Sequence, residues 1–368
     1  MKQLYDKLQV LESREQPLDR MERLRAMNRP LLSWYEEHAR VLPWREQPEP
    51  YRVWISEIML QQTRVEAVKP YFQRFMEEVP SVQKLAELEE DRLLKLWEGL
   101  GYYNRARNLQ KAARIMVEEY EGQMPSDHQS LLSLPGIGSY TAGAIASIAY
   151  GIPVPAVDGN VLRVLSRVLG SKEDILKASV KKQFELELSQ TMPKDDASRF
   201  NQGLIEIGAI VCVPNGQPKC GQCPLYTLCL ARKEGMIDEI PVKTPKKPRK
   251  IEDLTVCILE HGQQVAIRKR DQTGLLASLY ELPNVPGHIE EEEIAEKFGI
   301  RKEQIQSIER LSDSKHIFTH VEWHMIGYRV ILKEEIPQNY IAAEKSDLKE
   351  KFPLPNAFGR YTKLMIGG

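Results

Sequence analysis

The chain has 368 residues, 42% of them hydrophobic and 28% charged, with a formal net charge of -1 at pH 7. At roughly 150 residues per domain, this length holds two or three domains, and the ordinary apolar content excludes wholesale disorder and collagen-like repeats. No apolar run approaches the ~18–20 residues of a membrane helix, because the best stretch is broken by Gly143, Gly151, Pro153 and Pro155. The polar first residues lack an apolar signal core, so a cytoplasmic protein with no membrane contact is expected. A net charge near zero still permits nucleic-acid binding through a local basic patch.

In chain order, residues 1–30 are highly charged and predict a weakly packed helical extension. From residue 31 to about 210, apolar side chains recur at the three- and four-residue spacing of helices. Pro70, Pro80, Gly99, Gly101, Pro125 and Pro135 punctuate this stretch. Residues 241–250 are proline-rich and basic without an acid, and predict an extended linker over 241–253. Residues 254–259 and 264–268, around His261 and Gly262, predict a β-hairpin. Residues 289–298 predict a helix and 321–332 a strand. The expected architecture is an all-α domain over 31–240 followed by an α+β domain over 254–368.

Four of the 5 cysteines fall together, Cys212, Cys220, Cys223 and Cys229, with gaps of seven, two and five residues, while Cys257 stands alone. Clustering of this kind points to a metal site, and four thiolates can close on a zinc ion or an iron–sulfur cluster. Leu134, Pro135, Gly136, Ile137 and Gly138 precede a predicted helix over 140–149. Glycines two apart make a tight turn, and the amides that follow can face an anion such as a DNA phosphate. A plain helix–turn–helix connection fits the same residues.

Two acids occupy unusual settings. Glu57 shares a helical face with Val53, Trp54 and Leu60, where a carboxyl should hold its proton near neutrality and could act as a general acid. The plain alternative is a glutamate snorkelling to solvent. Asp158 stands just before the apolar helix beginning at Val161, a capping position whose helix dipole favours the ionised form. A protonated acid beside an ionised one is the usual division of labour in glycosidic bond cleavage.

The 134–138 hairpin, the aspartate after it and the cysteine cluster resemble the helix–hairpin–helix superfamily of DNA glycosylases, in its iron–sulfur branch. Leu42–Arg45, Ser56–Val65 and Trp97–Tyr103 resemble the adenine DNA glycosylases of the MutY type within it. The resemblance runs from about Leu31 to the C-terminus. It implies a [4Fe–4S] cluster on Cys212, Cys220, Cys223 and Cys229, although the first gap is usually six residues. It implies duplex DNA as partner, with adenine opposite 8-oxoguanine or guanine as substrate, bound by a monomer associated with the nucleoid. Glu57, Asp158, Tyr140 and Asn160 match the catalytic positions. Arg40, Leu42, Trp44, Arg45, Val65, Gln202 and Ile205 match positions lining the adenine pocket. Gln62, Thr63, Leu100, Tyr102, Gly136 and Gly138 match DNA-contacting positions. Bifunctional relatives carry a lysine where Tyr140 stands, so a monofunctional enzyme without strong lyase activity is expected.

The C-terminal domain resembles the Nudix (MutT-like) domain of the same family. Phe318, Thr319 and His320 take the place of the loop that reads 8-oxoguanine. The Nudix box is degenerate: Glu292 replaces its arginine, Lys297 replaces a metal-binding glutamate, and Gly274 to Glu281 is one residue off its spacing. No pyrophosphohydrolase is therefore expected. A non-catalytic iron–sulfur or zinc DNA-binding redox sensor is the other reading of the chain.

Overall fold

The computed structural model describes residues 18–245 and 248–366. Residues 1–17 of the expected extension, and Lys246 and Lys247 of the expected linker, lie outside them. The chain divides into two compact units, one of residues 1–86 with 108–245, the other of residues 87–107 with 246–368.

The first unit is helical, built on Arg20–His38, Pro50–Leu60, Val65–Glu78, Ser139–Ile148, Gly159–Leu169, Ala178–Thr191 and Ala197–Ile210. Its start signals are chemical. Asp19 and Glu22 form a capping box on the first helix, Pro50 opens the second at a position whose N–H needs no partner, and Asp158 caps Gly159–Leu169. The Gly159–Leu169 helix is buried along its length. Val161, Val164, Leu165 and Val168 pack among Phe184, Leu188, Phe200, Leu204 and Ile207. The Arg20–His38 helix runs through the expected boundary at residue 30. It buries Leu24, Met27 and Leu31 in the same core, so the weak packing expected up to residue 30 does not hold from residue 20 onward. High charge density hid a narrow apolar stripe at three- and four-residue spacing.

In the second unit, strands β1 (Lys250–His261), β2 (Gln264–Lys269), β3 (Tyr280–Glu281), β4 (Asn284–Pro286), β5 (Ile305–Ile317), β6 (Val321–Leu332) and β7 (Ile341–Glu344) form one mixed sheet. The path is β3-β2-β1-β6-β5, with β4 on β1 and β7 on β2; β1 and β6 are parallel over Lys250↔Val321 to Glu260↔Ile331. The hairpin β1–β2 and the strand β6 lie where alternation and β-branched content predicted them. One face buries Trp323, Phe358 and Tyr361, and the other Ile294, Phe298 and Tyr328. The helix expected over 289–298 shrinks to a 3-10 turn at Glu291–Glu293 and one α turn at Ile294–Lys297. Its first residue is tied to the sheet instead: the Ile289 N–H donates to Thr255 Oγ1 and its carbonyl accepts from Tyr328. Residues 87–107, with the short helix Glu90–Leu96, belong to this unit by contact, which nothing in the sequence signalled.

Candidate active site

A cavity of about 630 Å³ opens in the first unit. The Pro50–Leu60 helix brings Glu57 to it, Ser139–Ile148 brings Tyr140, and the N-terminus of Gly159–Leu169 brings Asp158 and Asn160. The Tyr140 hydroxyl donates to Glu57 Oε2 at 2.6 Å. Glu57 is only 7% exposed. Its carboxyl is pushed up to about 7, chiefly by burial and further by the nearby Asp158; the Tyr140 hydrogen bond and the Arg45 charge act the other way. The snorkelling alternative is thus excluded, since the carboxyl stays inside. Burial also drives the Tyr140 phenol well above its usual value.

Asp158 caps its helix by accepting the Val161 N–H at 2.8 Å and the Asn160 side-chain amide at 2.8 Å. Its carboxyl nevertheless lies above the ordinary aspartate value. Burial outweighs these hydrogen bonds and the Arg163 charge. The helix dipole, which favours the ionised form, works here against desolvation. Asn160 is held in turn by Arg163, which donates from Nη2 to Asn160 Oδ1 at 2.9 Å and from Nε to the Cys212 carbonyl at 2.8 Å.

The structure brings the expected pocket residues together around this cavity. Arg40, Leu42, Trp44, Arg45, Val65, Gln202 and Ile205 line it, as do Gln62, Thr63 and Gly138. Gln62 sits at φ 59, a conformation that residues with a side chain rarely adopt. Gly136, at φ 78, makes the hairpin turn just outside. Sequence reasoning missed two groups. Fully buried Glu206 pairs with Arg40 at 2.6 Å and with Arg45 at 2.8 Å, which pre-sets both guanidiniums. Burial alone would raise its carboxyl, but the two arginines outweigh this and hold it low. Lys181, from Ala178–Thr191, also lines the cavity and donates to Ser139 Oγ at 2.9 Å. Neither could be found from a local motif, because each acts across more than forty residues of chain.

Leu100, Tyr102, Phe318, Thr319 and His320 all belong to the second unit. Phe318, Thr319 and His320 form the β5–β6 turn, with Phe318 packed edge-on against His316 and Trp323. Tyr102 is 49% exposed, and its hydroxyl lies 3.3 Å from Thr319 Oγ1.

Cys212, Cys220, Cys223 and Cys229 line one small cavity in the first unit. Among the described residues, no three His, Cys, Asp or Glu side chains stand ready-made for a metal ion. The chemistry of the donor set nonetheless fits a soft cation. Burial pushes the Cys223 thiol up to about 12 and raises Cys229 too, so thiolates there need a positive partner in place of their protons. Arg167 adds charge by donating to Cys212 Sγ at 3.2 Å. The seven-residue first gap is taken up by a loop that turns at Gly216 and closes through Lys219 N–H to the Val211 carbonyl.

Comparison with known proteins agrees with this geometry. Residues 55–190 match the HhH-GPD superfamily base excision DNA repair protein family, and residues 255–364 match the NUDIX domain. An adenine DNA glycosylase of Homo sapiens is 34% identical, over 83% of this chain and 67% of its own length. One from Buchnera aphidicola subsp. Schizaphis graminum is 35% identical, over 82% of this chain and 86% of its own. The chain belongs to the adenine DNA glycosylase family. Among solved structures, a thermostable thymine-DNA glycosylase superposes with a TM-score of 0.52 at 27% identity, covering 58% of this chain and 97% of that one. A trapped endonuclease III–DNA covalent intermediate gives 0.51 at 28%, covering 60% and 99%.

In this member of the adenine DNA glycosylase family, the Asp158–Asn160 end of the site depends on a close approach by Gly208. A Cβ on Gly208 would stand 2.5 Å from Asn160 Cβ. Gly208→Ala should therefore displace Asn160 and slow base release by roughly tenfold or more, as 1 Å displacements near reacting groups do. Single-turnover kinetics check this. Unchanged rates would mean that Asn160 does not hold Asp158.

Proposed function

We propose that this protein excises adenine mispaired with 8-oxoguanine or guanine in duplex DNA, as a monofunctional glycosylase acting as a monomer on nucleoid DNA. The observation that carries the reading is the pairing of a buried, proton-holding Glu57 with Tyr140, in one cavity with Asp158. Adenine must leave the stack to enter such a cavity. Glu57 then gives its proton to the base at N7, the glycosidic electron pair leaves with adenine, and positive charge develops on the sugar. Asp158 stabilises that charge, with Asn160 holding its carboxylate, and Tyr140 keeps the Glu57 carboxyl in place. Water adds to the sugar carbon and its proton restores Glu57.

The fitting group for the cysteine loop is a [4Fe–4S] cluster held by Cys212, Cys220, Cys223 and Cys229. When bound, it braces the loop and supplies no chemistry at the sugar. Phe318, Thr319 and His320 address the base opposite the adenine, together with Leu100 and Tyr102. In this reading the catalytic part lies before a linker over 241–249 and the recognition part after it, with residues 87–107 grouped with the latter. Sequence matches over 55–190 and 255–364 support that division. Among the described residues no helix is long and apolar enough to cross a membrane.

Three experiments test these points. A duplex with adenine opposite 8-oxoguanine should be cut only after alkali. Glu57→Gln, which keeps the shape without the proton, should lower excision by roughly 10²–10⁴-fold while leaving lesion binding intact. Near-normal excision by this variant removes Glu57 from the role of acid, and nicking without alkali points to a lysine such as Lys181 as a Schiff-base former. Metal analysis of purified protein should return about four irons per chain, with broad visible absorption. One zinc per chain would contradict the cluster assignment.

A further inference from the structure

Within the second unit, residues 87–107 are held against the C-terminal residues by a compact polar network. Lys95 is 10% exposed, and its ammonium donates to the Leu348 carbonyl at 3.0 Å and the Phe352 carbonyl at 3.0 Å. It also pairs with Glu98 at 2.5 Å. Glu98 Oε1 accepts the Leu354 N–H at 3.0 Å. One ion pair thus satisfies three backbone groups of the 348–354 loop. Four residues earlier, Asp91 accepts from Lys269 at 2.7 Å and from the Tyr280 hydroxyl at 2.9 Å. Tyr280 also packs edge-on against Phe352, with ring centroids 4.9 Å apart, which joins the two anchors.

Immediately after Glu98 the chain turns sharply. Trp97 Nε1 donates to the Gly101 carbonyl at 3.1 Å, and Arg105 donates to the Leu100 and Gly101 carbonyls at 2.9 and 3.0 Å. The turn delivers Tyr102 at φ 50, a left-handed conformation disfavoured for a residue with a side chain. Such conformations persist only where their surroundings over-determine them, and they cluster at functional sites. Here the surroundings are the anchors on one side and Thr319 on the other.

We propose that Lys95 and Glu98, supported by Asp91, are positioning residues for lesion recognition. They lock the Trp97–Tyr102 turn onto the 348–354 loop, so that Tyr102 and Thr319 meet the base opposite the adenine as one rigid reader. The inference rests on the proposed function, in which that base is 8-oxoguanine. None of the three anchors needs to touch DNA; they act through the pose of Tyr102.

The test is single-turnover excision by the full-length protein, of adenine opposite 8-oxoguanine and of adenine opposite guanine, with a thermal melt to establish folding. Lys95→Met keeps the aliphatic stem and removes the ammonium. It should cut the preference for 8-oxoguanine about tenfold, with the rate opposite guanine changed less than about twofold. Combined with Tyr102→Phe, its effect should be far from additive, since both act on one contact. Glu98→Gln, which keeps an oxygen for the Leu354 N–H, should move the preference the same way and serves if Lys95→Met does not fold. Unchanged preference in a folded variant overturns the inference, as does an equal fall opposite both bases, or additivity with Tyr102→Phe. A wild-type protein that excises adenine without preference overturns the reading of Tyr102 and Phe318–His320 as the 8-oxoguanine reader, and the inference with it. Wild-type preference retained by the variants overturns the inference alone.

Discussion

A carboxyl group sealed inside an apolar helix face constrains the rest of the first unit. Glu57 cannot keep both its burial and its charge at low cost. A rise from 4.5 to about 7 corresponds to a free energy on the order of 3 kcal/mol between its protonation states. The sign follows from linkage: the folded chain prefers the protonated form. That contribution is complete below about 4.5 and is lost as pH rises through about 7. A protein that pays for a buried acid needs neighbours that keep it usable. Tyr140 does so, because its hydroxyl draws the carboxyl back toward ionisation and fixes its direction. An acid poised near 7 is the best compromise between carrying a proton and giving it up.

The second acid is solved differently. Asp158 is half-buried, and it is met by a helix N-terminus, by Asn160 and, one step behind, by Arg163. Arg163 also binds the Cys212 carbonyl and Arg167 binds the Cys212 sulfur. Arg163 therefore links the cysteine loop to Asp158 through Asn160, while Arg167 of the same helix holds the loop alone. On the far wall, buried Glu206 carries a full charge because Arg40 and Arg45 surround it. Its removal would leave two half-buried cations side by side without their counter-charge, which costs more than the pair contributes.

Local chemistry was legible in the sequence. Glu57 was readable because its apolar neighbours lie three and four residues away, Asp158 because a cap must precede its helix, and the cysteines because they cluster. β1, β2 and β6 were readable from runs of β-formers, the first two flanking a turn at His261 and Gly262. What stayed hidden depends on chain segments far apart in sequence. Glu206 meets Arg40 across 166 residues, and Lys181 reaches Ser139 across 42. The grouping of residues 87–107 with the C-terminal unit rests on contacts such as Asp91 with Lys269 and Lys95 with two backbone carbonyls, whose partners lie more than 170 residues away. The rise of the Asp158 carboxyl above its ordinary value was unreadable for a related reason. A cap can be read from neighbours in sequence, whereas loss of solvent is set by everything packed above it.

The central claim is that Glu57 holds a proton near neutrality inside the folded protein. Isotope-edited infrared spectroscopy, with labelled glutamate and the Glu57→Gln variant as subtraction control, measures this directly. The account predicts a protonated carboxyl band, absent from the variant, that titrates with a midpoint near 7. A Glu57 carboxyl already ionised at pH 5 would contradict it.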